Sequence, residues 1–364
     1  MSQTASVPPP TTRLEDWRYV TVKALGPVLQ GGQATPQAPT ELAGLPAIVL
    51  NADSVQVQGA LPDGASFQEQ DASAEAFAGD PEQDPQISWS NEGPARSLQL
   101  RGVVGPLLLL HGGGQQRLRI HVAAGAAADL ILVHRLAAED NACLALDVEL
   151  ADGSALRLDE VEQLDAEAQL LSHRRLRVAG GASVAWTAAG LGARLVRHRW
   201  DAELLAAGAE VRLAACAVLR GSRQQHHLVR VHHRAGETTS DQLFRCVADD
   251  AGRSSFDGLV RIDEHCENAH AEQSANNLQL SPRARVYARP QLDVNTDDVV
   301  ASHGSSTGQP DPHEQFYLRS RGIPKQLAER LVMRGFIDEV VHRMTSPLLK
   351  AAAEEHTDLT AWLG

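Results

Sequence analysis

From about residue 98 to residue 294 the chain is a succession of short segments in which apolar and polar positions alternate. "SLQLRGVV", "PLLLLH", "RLRIHVAAG", "DLILVHRL", "CLALDVEL", "ALRLDEV", "RRLRVAG", "ARLVRHRW", "AEVRLAACAVL" and "HHLVRVHHRAG" follow one another, then "DGLVRID", "NNLQL", "ARVYA" and "QLDV". A period of two with one apolar face predicts half-buried strands. Asp152-Gly153, Gly180-Gly181, Gly208 and Gly221 punctuate the run as turns do in all-β proteins. A sandwich or barrel ordinarily ends within about 250 residues. An irregular solenoid accommodates so long a run with a Leu/Val/Ala interior, although no strict repeat motif is visible. Periodicity leaves both architectures open.

The flanks differ. Residues 1–12 are rich in Pro, Ser and Thr; "RLEDWRYVTVKAL" (13–25) reads as a short ordered segment, and "GDPEQDPQ" (79–86) as a linker. The expected division is an N-terminal lead-in region at 1–97, a β core at 98–310 and a helical unit at 311–364. In that last unit Pro324 suits a first helical position. Leu327, Leu331 and Val332 would share one face; Phe336 or Ile337, Val340, Val341 and Met344 would share another, with Gly335 between and a final helix from Pro347. The stripe is expected to pack on the core, with docking to another subunit as the sharper alternative.

Composition narrows the function classes. Hydrophobic residues make up 43% of the chain but aromatic residues only 4%, so the interior is expected to be aliphatic. A net charge of −13 disfavours nucleic acid and anionic membranes. The basic run "HRRLRV" (173–178) is read as a solvated face. Cys143, Cys216, Cys246 and Cys266 are scattered without C-x-x-C spacing, which argues against a zinc knuckle or disulfide framework. No signal core and no membrane-length apolar run is present, so a reducing cytoplasm is the expected location.

Four constellations invite chemistry. In "VNTDDVVASHGSSTG" (294–308), Ser302 and His303 are neighbours on an extended chain and point to opposite faces, and no G-x-S-x-G occurs, so a hydrolase is disfavoured. The bland reading of His303 is a loop histidine bonded to backbone. His226, His227, His232 and His233 fall on a predicted strand; those sharing a face are six residues and about 20 Å apart, too far for one metal ion, so structural roles are favoured. "RIDEHCENAH" (261–270) matches no trusted zinc spacing. Asp297-Asp298 reads as a turn, since no partner for a glycosidase dyad is identifiable.

Taken together, "FDGLVRID", "QSANNLQLSPRARVYARPQLDVNTDDVVASHGSSTG" and "EQFYLRSRGIP" resemble the SufB/SufD family of SUF-system iron–sulfur scaffolds, most closely its SufD branch. "EDWRYV" resembles the family's opening motif. The SufB branch carries a Cys shortly before the Pro matching Pro290, and E-H-E-A-T at 302–306. This chain has neither. Many SufD chains have a Cys where this one has Ala301, which leaves His303 as the matched functional position.

The resemblance implies a right-handed parallel β-helix. It implies pairing with a SufB-like paralogue and binding of a SufC-like ABC ATPase through the C-terminal helices, or a homodimer when the chain is alone. His303 would contribute, shared with the partner, at the interface where the nascent cluster forms. Gly304, Pro290, Gln273, Asn277, Asp297, Asp298, Phe316, Tyr317, Arg319, Arg321 and Gly322 are motif-matched structural or interface positions. No tightly bound cofactor is implied for this chain; reduced FAD is associated with such complexes. The chain begins almost at the W-R-Y motif and is expected to lack N-terminal helices of longer members. Without a G-x-x-x-x-G-K-[ST] loop, ATP is expected to be hydrolysed on the partner. A lone imidazole can complete a metal site whose other ligands come from another chain. The expected role is a non-catalytic scaffold. A β-helical carbohydrate-active enzyme and a stand-alone homodimeric binding protein are the alternatives.

Overall fold

The computed structural model describes residues 15–20, 38, 42–51, 54–70, 75–77, 84–91, 95–138 and 140–346. In these residues the strands are β1 (Ala47–Leu50), β2 (Val55–Gln58), β3 (Ala65–Gln68), β4 (Ala95–Leu100), β5 (Val103–His111), β6 (Gly114–Val122) and β7 (Ala127–Leu136). They continue with β8 (Asn141–Leu150), β9 (Ala155–Leu164), β10 (Gln169–Val178), β11 (Ser183–Gly190), β12 (Leu195–Leu204) and β13 (Glu210–Leu219). The remainder are β14 (Gln224–His233), β15 (Thr239–Ala248), β16 (Arg253–Ile262), β17 (Ala269–Gln279), β18 (Arg285–Val294) and β19 (Val299–Gly308). Helices α1 (Pro85–Ser90), α2 (Pro312–Ser320) and α3 (Lys325–Val341) complete the elements.

From β4 onward successive strands alternate between two sheets, and each pairs in parallel with the strand two further along. The result is a parallel β-solenoid of about seven turns. Ala127 pairs with Ala155, then Ser183, Glu210 and Thr239, one rung per coil. The sheets begin earlier than the change of character at residue 98, because β1 joins β5 in parallel and β3 joins β4 antiparallel.

One corner explains the turn signals. Gly125, Gly153, Gly181 and Gly208 all have positive φ, between 62° and 75°. The amides of Gly125, Gly153 and Gly181 each donate to a carbonyl at the same corner of the next coil, those of Asp152, Gly180 and Ala207. An L side chain pays for that backbone conformation, so glycine recurs there. Corner and strand length are repeated while side-chain identity is not, which is why the coil repeat carries no motif.

The inner faces of the two sheets meet in a core that includes Leu107, Leu109, Leu130, Leu132 and Leu158 against Leu98, Ile120, Leu144, Leu146 and Val148. It is less aliphatic than composition suggests. Trp186 and Trp200 are fully buried and meet edge to face at 5.0 Å, and Phe244 and Phe256 pack further along. The expectation of a solvated basic run at 173–178 also fails. His173 and Arg174 are sealed inside, with the Arg174 guanidinium 4.1 Å from the Trp200 ring centroid. Arg175 and Arg177 are half-buried and pair with acids. β8 is buried on nearly every residue because α1 and the segment around Trp17 cover its outer side. That cover is pinned by Trp17 Nε1 donating to Asp84 (2.8 Å) and by Arg197 stacked at 4.1 Å on the Trp17 ring.

The helix α3 covers the outer face of the sheet that contains β11, β13 and β15. It buries Ala328, Met333, Ile337, Val340 and Val341. Arg245 locks it there through Glu339 at 2.6 Å. The face Leu327-Leu331-Val332 is the wrong one: Leu327 and Leu331 are exposed. The helix also runs through Gly335 without a break, and Pro324 is its N-cap rather than its first residue. The helix expected from Pro347 lies outside the described residues. All four cysteines are free and buried, and burial pushes the Cys246 thiol up to about 12, so it is unreactive.

Candidate functional site

The spiral ends on β18 and β19. Each has a parallel neighbour on one side, β16 or β17, and on the other an edge that no strand among the described residues pairs with. Nearly every residue of β19 is exposed, and Val300 is 63% exposed. An uncovered strand edge of that length is a template for pairing with another chain.

His303 sits on this last coil and is exposed. Its backbone pairs with Gln273, which pairs with Gln242. Paired positions in a parallel sheet share a face, so the three form one column on the inner face of the solenoid. Gln273 and Gln242 are buried and joined by a 2.9 Å amide hydrogen bond. The column therefore emerges from the core and terminates in the imidazole.

The other motif positions divide between support and surface. Asn277 is buried and donates to the Ser306 carbonyl at 3.2 Å, tying the last coil down. Asp297 and Asp298 form the turn before β19, and the Asp298 carbonyl accepts the Asn268 amide at 2.7 Å. Pro290 lies opposite Gly258. Its own chain neighbours aside, no heavy atom of the described residues lies within 4 Å of the position a Cβ would take on Gly304. Phe316 and Tyr317 are 70% and 58% exposed on α2. Arg321 lies over the Tyr317 ring, and Gly322, with φ of 88°, donates to the Arg319 carbonyl to end the helix. Leu327 and Leu331 on α3 are exposed as well, 43% and 41%.

The remaining constellations stay apart. Asp263 binds His232 at 2.7 Å and Arg261 at 2.9 Å, His265 occupies a corner with positive φ, and Cys266 is buried. His226 bonds Ser255 and His233 bonds Thr238 and Ser240, all buried.

One group was not assembled from the sequence, which singled out only its His227 as a candidate. Inside the solenoid His111 Nδ1 meets His134 Nδ1 at 2.9 Å, and His134 Nε2 meets Glu160 at 2.9 Å. Glu160 also accepts from Arg174 and, at 2.8 Å, from Trp186 Nε1. Glu162 meets His198 Nε2 at 2.6 Å, and the His227 ring lies 5.1 Å beyond. Every one of these residues is buried. Arg174 holds the Glu160 carboxyl well below the usual range. Burial, and then the charge on Glu160, pushes Glu162 up to about 8. The signal was the motif E-V-E at 160–162 at the inward end of a strand, but only the coil stacking brings residues 111, 134, 162, 198 and 227 together.

Residues 110–336 match the family model described as SUF system FeS cluster assembly, SufBD core domain. The iron–sulfur cluster assembly protein SufD of Escherichia coli is 31% identical over 160 residues, covering 44% of this chain and 38% of that protein. SufD of Bacillus subtilis is 38% identical over 125 residues, 34% of this chain and 29% of that protein. A SufBD family protein of Synechocystis is 31% identical over 156 residues, 42% and 34% respectively. The matched segments span about a third of the length of these relatives, from 29% to 38%.

Proposed function

The chain belongs to the SUF-system iron–sulfur cluster assembly family defined by the SufBD core, on its SufD-like side, and from that premise we propose a non-catalytic scaffold subunit that pairs with a SufB-like paralogue through its uncapped last coil. The observation that carries this reading is His303: an exposed imidazole at the end of a buried Gln242–Gln273 column, on a strand whose outer edge is unpaired among the described residues. A partner strand laid against β19 closes over that ring. The imidazole then supplies one nitrogen ligand, or accepts and returns a proton, while the remaining ligands to iron come from the partner. The nascent cluster is cargo, not a resident cofactor, and reduced FAD is assigned to no residue of this chain.

The exposed apolar side chains of Phe316, Tyr317, Leu327 and Leu331 support a second contact, with a SufC-like ATPase. Among the described residues no helix is long and apolar enough to cross a membrane; a cytoplasmic assembly is part of the proposal. Sugar-cleaving chemistry gains no support, because Asp297 and Asp298 are turn residues.

The test is co-expression with SufB-like and SufC-like partners. The expected result is that His303→Ala leaves the complex intact and lowers cluster yield, whereas Val300→Asp prevents pairing. Unchanged cluster yield in His303→Ala would remove the role given to the imidazole. Pairing undisturbed by Val300→Asp would remove the interface.

A further inference from the structure

Glu160, Glu162 and His198 each present a ligand atom, all within 4.8 Å of one another and all buried inside the solenoid. Glu160 is already spoken for by Arg174, His134 and Trp186. Glu162 is not. Its Oε1 meets His198, but its Oε2 is buried without a donor, and among the described residues no arginine or lysine forms an ion pair with it. A second unpartnered group faces it from the opposite sheet. Gln225 is 1% exposed, and neither its amide oxygen nor its amide nitrogen has a partner.

Gly190 shows where the two converge. A Cβ built there would lie 2.1 Å from Glu162 Oε2 and 3.1 Å from Gln225 Oε1. Gly190 has no turn to make, since it is the last residue of a regular strand. Its missing side chain is what lets a carboxylate and a carboxamide oxygen share one buried space. Among the described residues no protein group uses Glu162 Oε2 or either amide atom of Gln225. A cation in that space would displace the carboxyl proton and take both oxygens as ligands.

We propose that Glu162, His198 and Gln225, with Glu160 at the rim, form an interior site for one divalent first-row transition-metal ion. Carboxylate, imidazole and amide oxygen donors without thiolate suit Zn2+ or Fe2+ rather than a soft ion. Tetrahedral metal–ligand bonds of about 2.1 Å separate ligand atoms by about 3.4 Å, so Glu162 and His198, which are 2.6 Å apart, need to part by about 0.8 Å. Arg174, His134 and Trp186 fix the Glu160 carboxylate, the orienting shell that such sites need. The site is enclosed in this chain and is independent of the role proposed for His303.

The experiment uses the full chain without a polyhistidine tag, incubated with Zn2+ or Co2+, desalted and analysed for metal by mass spectrometry. Wild type and His303→Ala are expected to retain one equivalent and to give a Co2+ visible spectrum. Glu162→Gln is expected to weaken retention on the order of 100-fold, and Gly190→Ala to do so by filling the space. No retained metal in wild type, or equal retention in Glu162→Gln, overturns the proposal. Should the variants fail to fold, zinc X-ray absorption of the wild type decides. A shell of oxygen donors with one imidazole supports the site, whereas a sulfur shell or no bound zinc overturns it.

Discussion

His233 makes the stability of this protein depend on mild acid in a way that one substitution isolates. The ring is fully buried at the corner between β14 and β15, with Nδ1 against Thr238 Oγ1 and Nε2 against Ser240 Oγ, both at 2.8 Å. Burial, and secondarily the neighbouring His232, lowers its pKa from 6.5 to about 4. The folded state therefore holds this histidine neutral while the unfolded chain protonates it near pH 6.5. The stabilisation is complete above that value and is lost as the pH falls from 6.5 toward 4. A shift of about 2.5 units corresponds to about 3 kcal/mol in full, and the portion lost between pH 7.5 and pH 5 is about 2 kcal/mol. Gln in place of His keeps a donor and an acceptor in the pocket but does not titrate. Urea midpoints of wild type and His233→Gln, measured from pH 7.5 to pH 5, should converge as the pH drops, the wild type losing about 2 kcal/mol more. Other buried histidines act equally on both proteins, so the difference belongs to residue 233. Parallel curves would refute the assignment.

Further expectations concern packing and surface. Glu160→Gln removes the counter-charge of fully buried Arg174 and should destabilise by about 3–5 kcal/mol, read from chemical denaturation. Trp186→Ala opens a cavity beside Trp200 and Arg174 and should cost about 3–5 kcal/mol by the same measure. Leu331→Glu, on an exposed position, should leave the melting temperature unchanged but weaken binding of the proposed SufC-like ATPase in a pull-down. Ile337→Glu, buried against the sheet, should release α3 and expose it to limited proteolysis.

The β class, the strand segments and several of the turns were legible because a period of two and a glycine with positive φ are local properties. Gly153, Gly181 and Gly208 mark coil corners whichever coil lies above. The terminal coil was legible for a different reason: the run from Asp297 to Gly308 and the F-Y-L-x-S-R-G-I segment resemble a known family closely enough to single out His303. The buried face of α3 was half legible. Ile337, Val340, Val341 and Met344 were placed correctly, but Leu327 and Leu331 were not, because periodicity finds an apolar stripe without saying whether anything covers it. Arg174 was misread for the converse reason. A charge inside a strand reads as solvated unless its partner is known, and Glu160 lies on another strand of the facing sheet.

What the amino-acid sequence alone determined is the local geometry, which residues extend and where the chain turns; His303, read as a loop residue bonded to backbone, proves to be an exposed strand residue. Only the stacking of coils decided the rest. His111, His134, Glu162 and His198 are far apart in the chain and become neighbours because the rung of each coil is laid on the one before it. Side-chain alternation specifies which face a residue joins, but the residue it meets across the core is set by the number of residues in every intervening coil, a length that no single segment encodes.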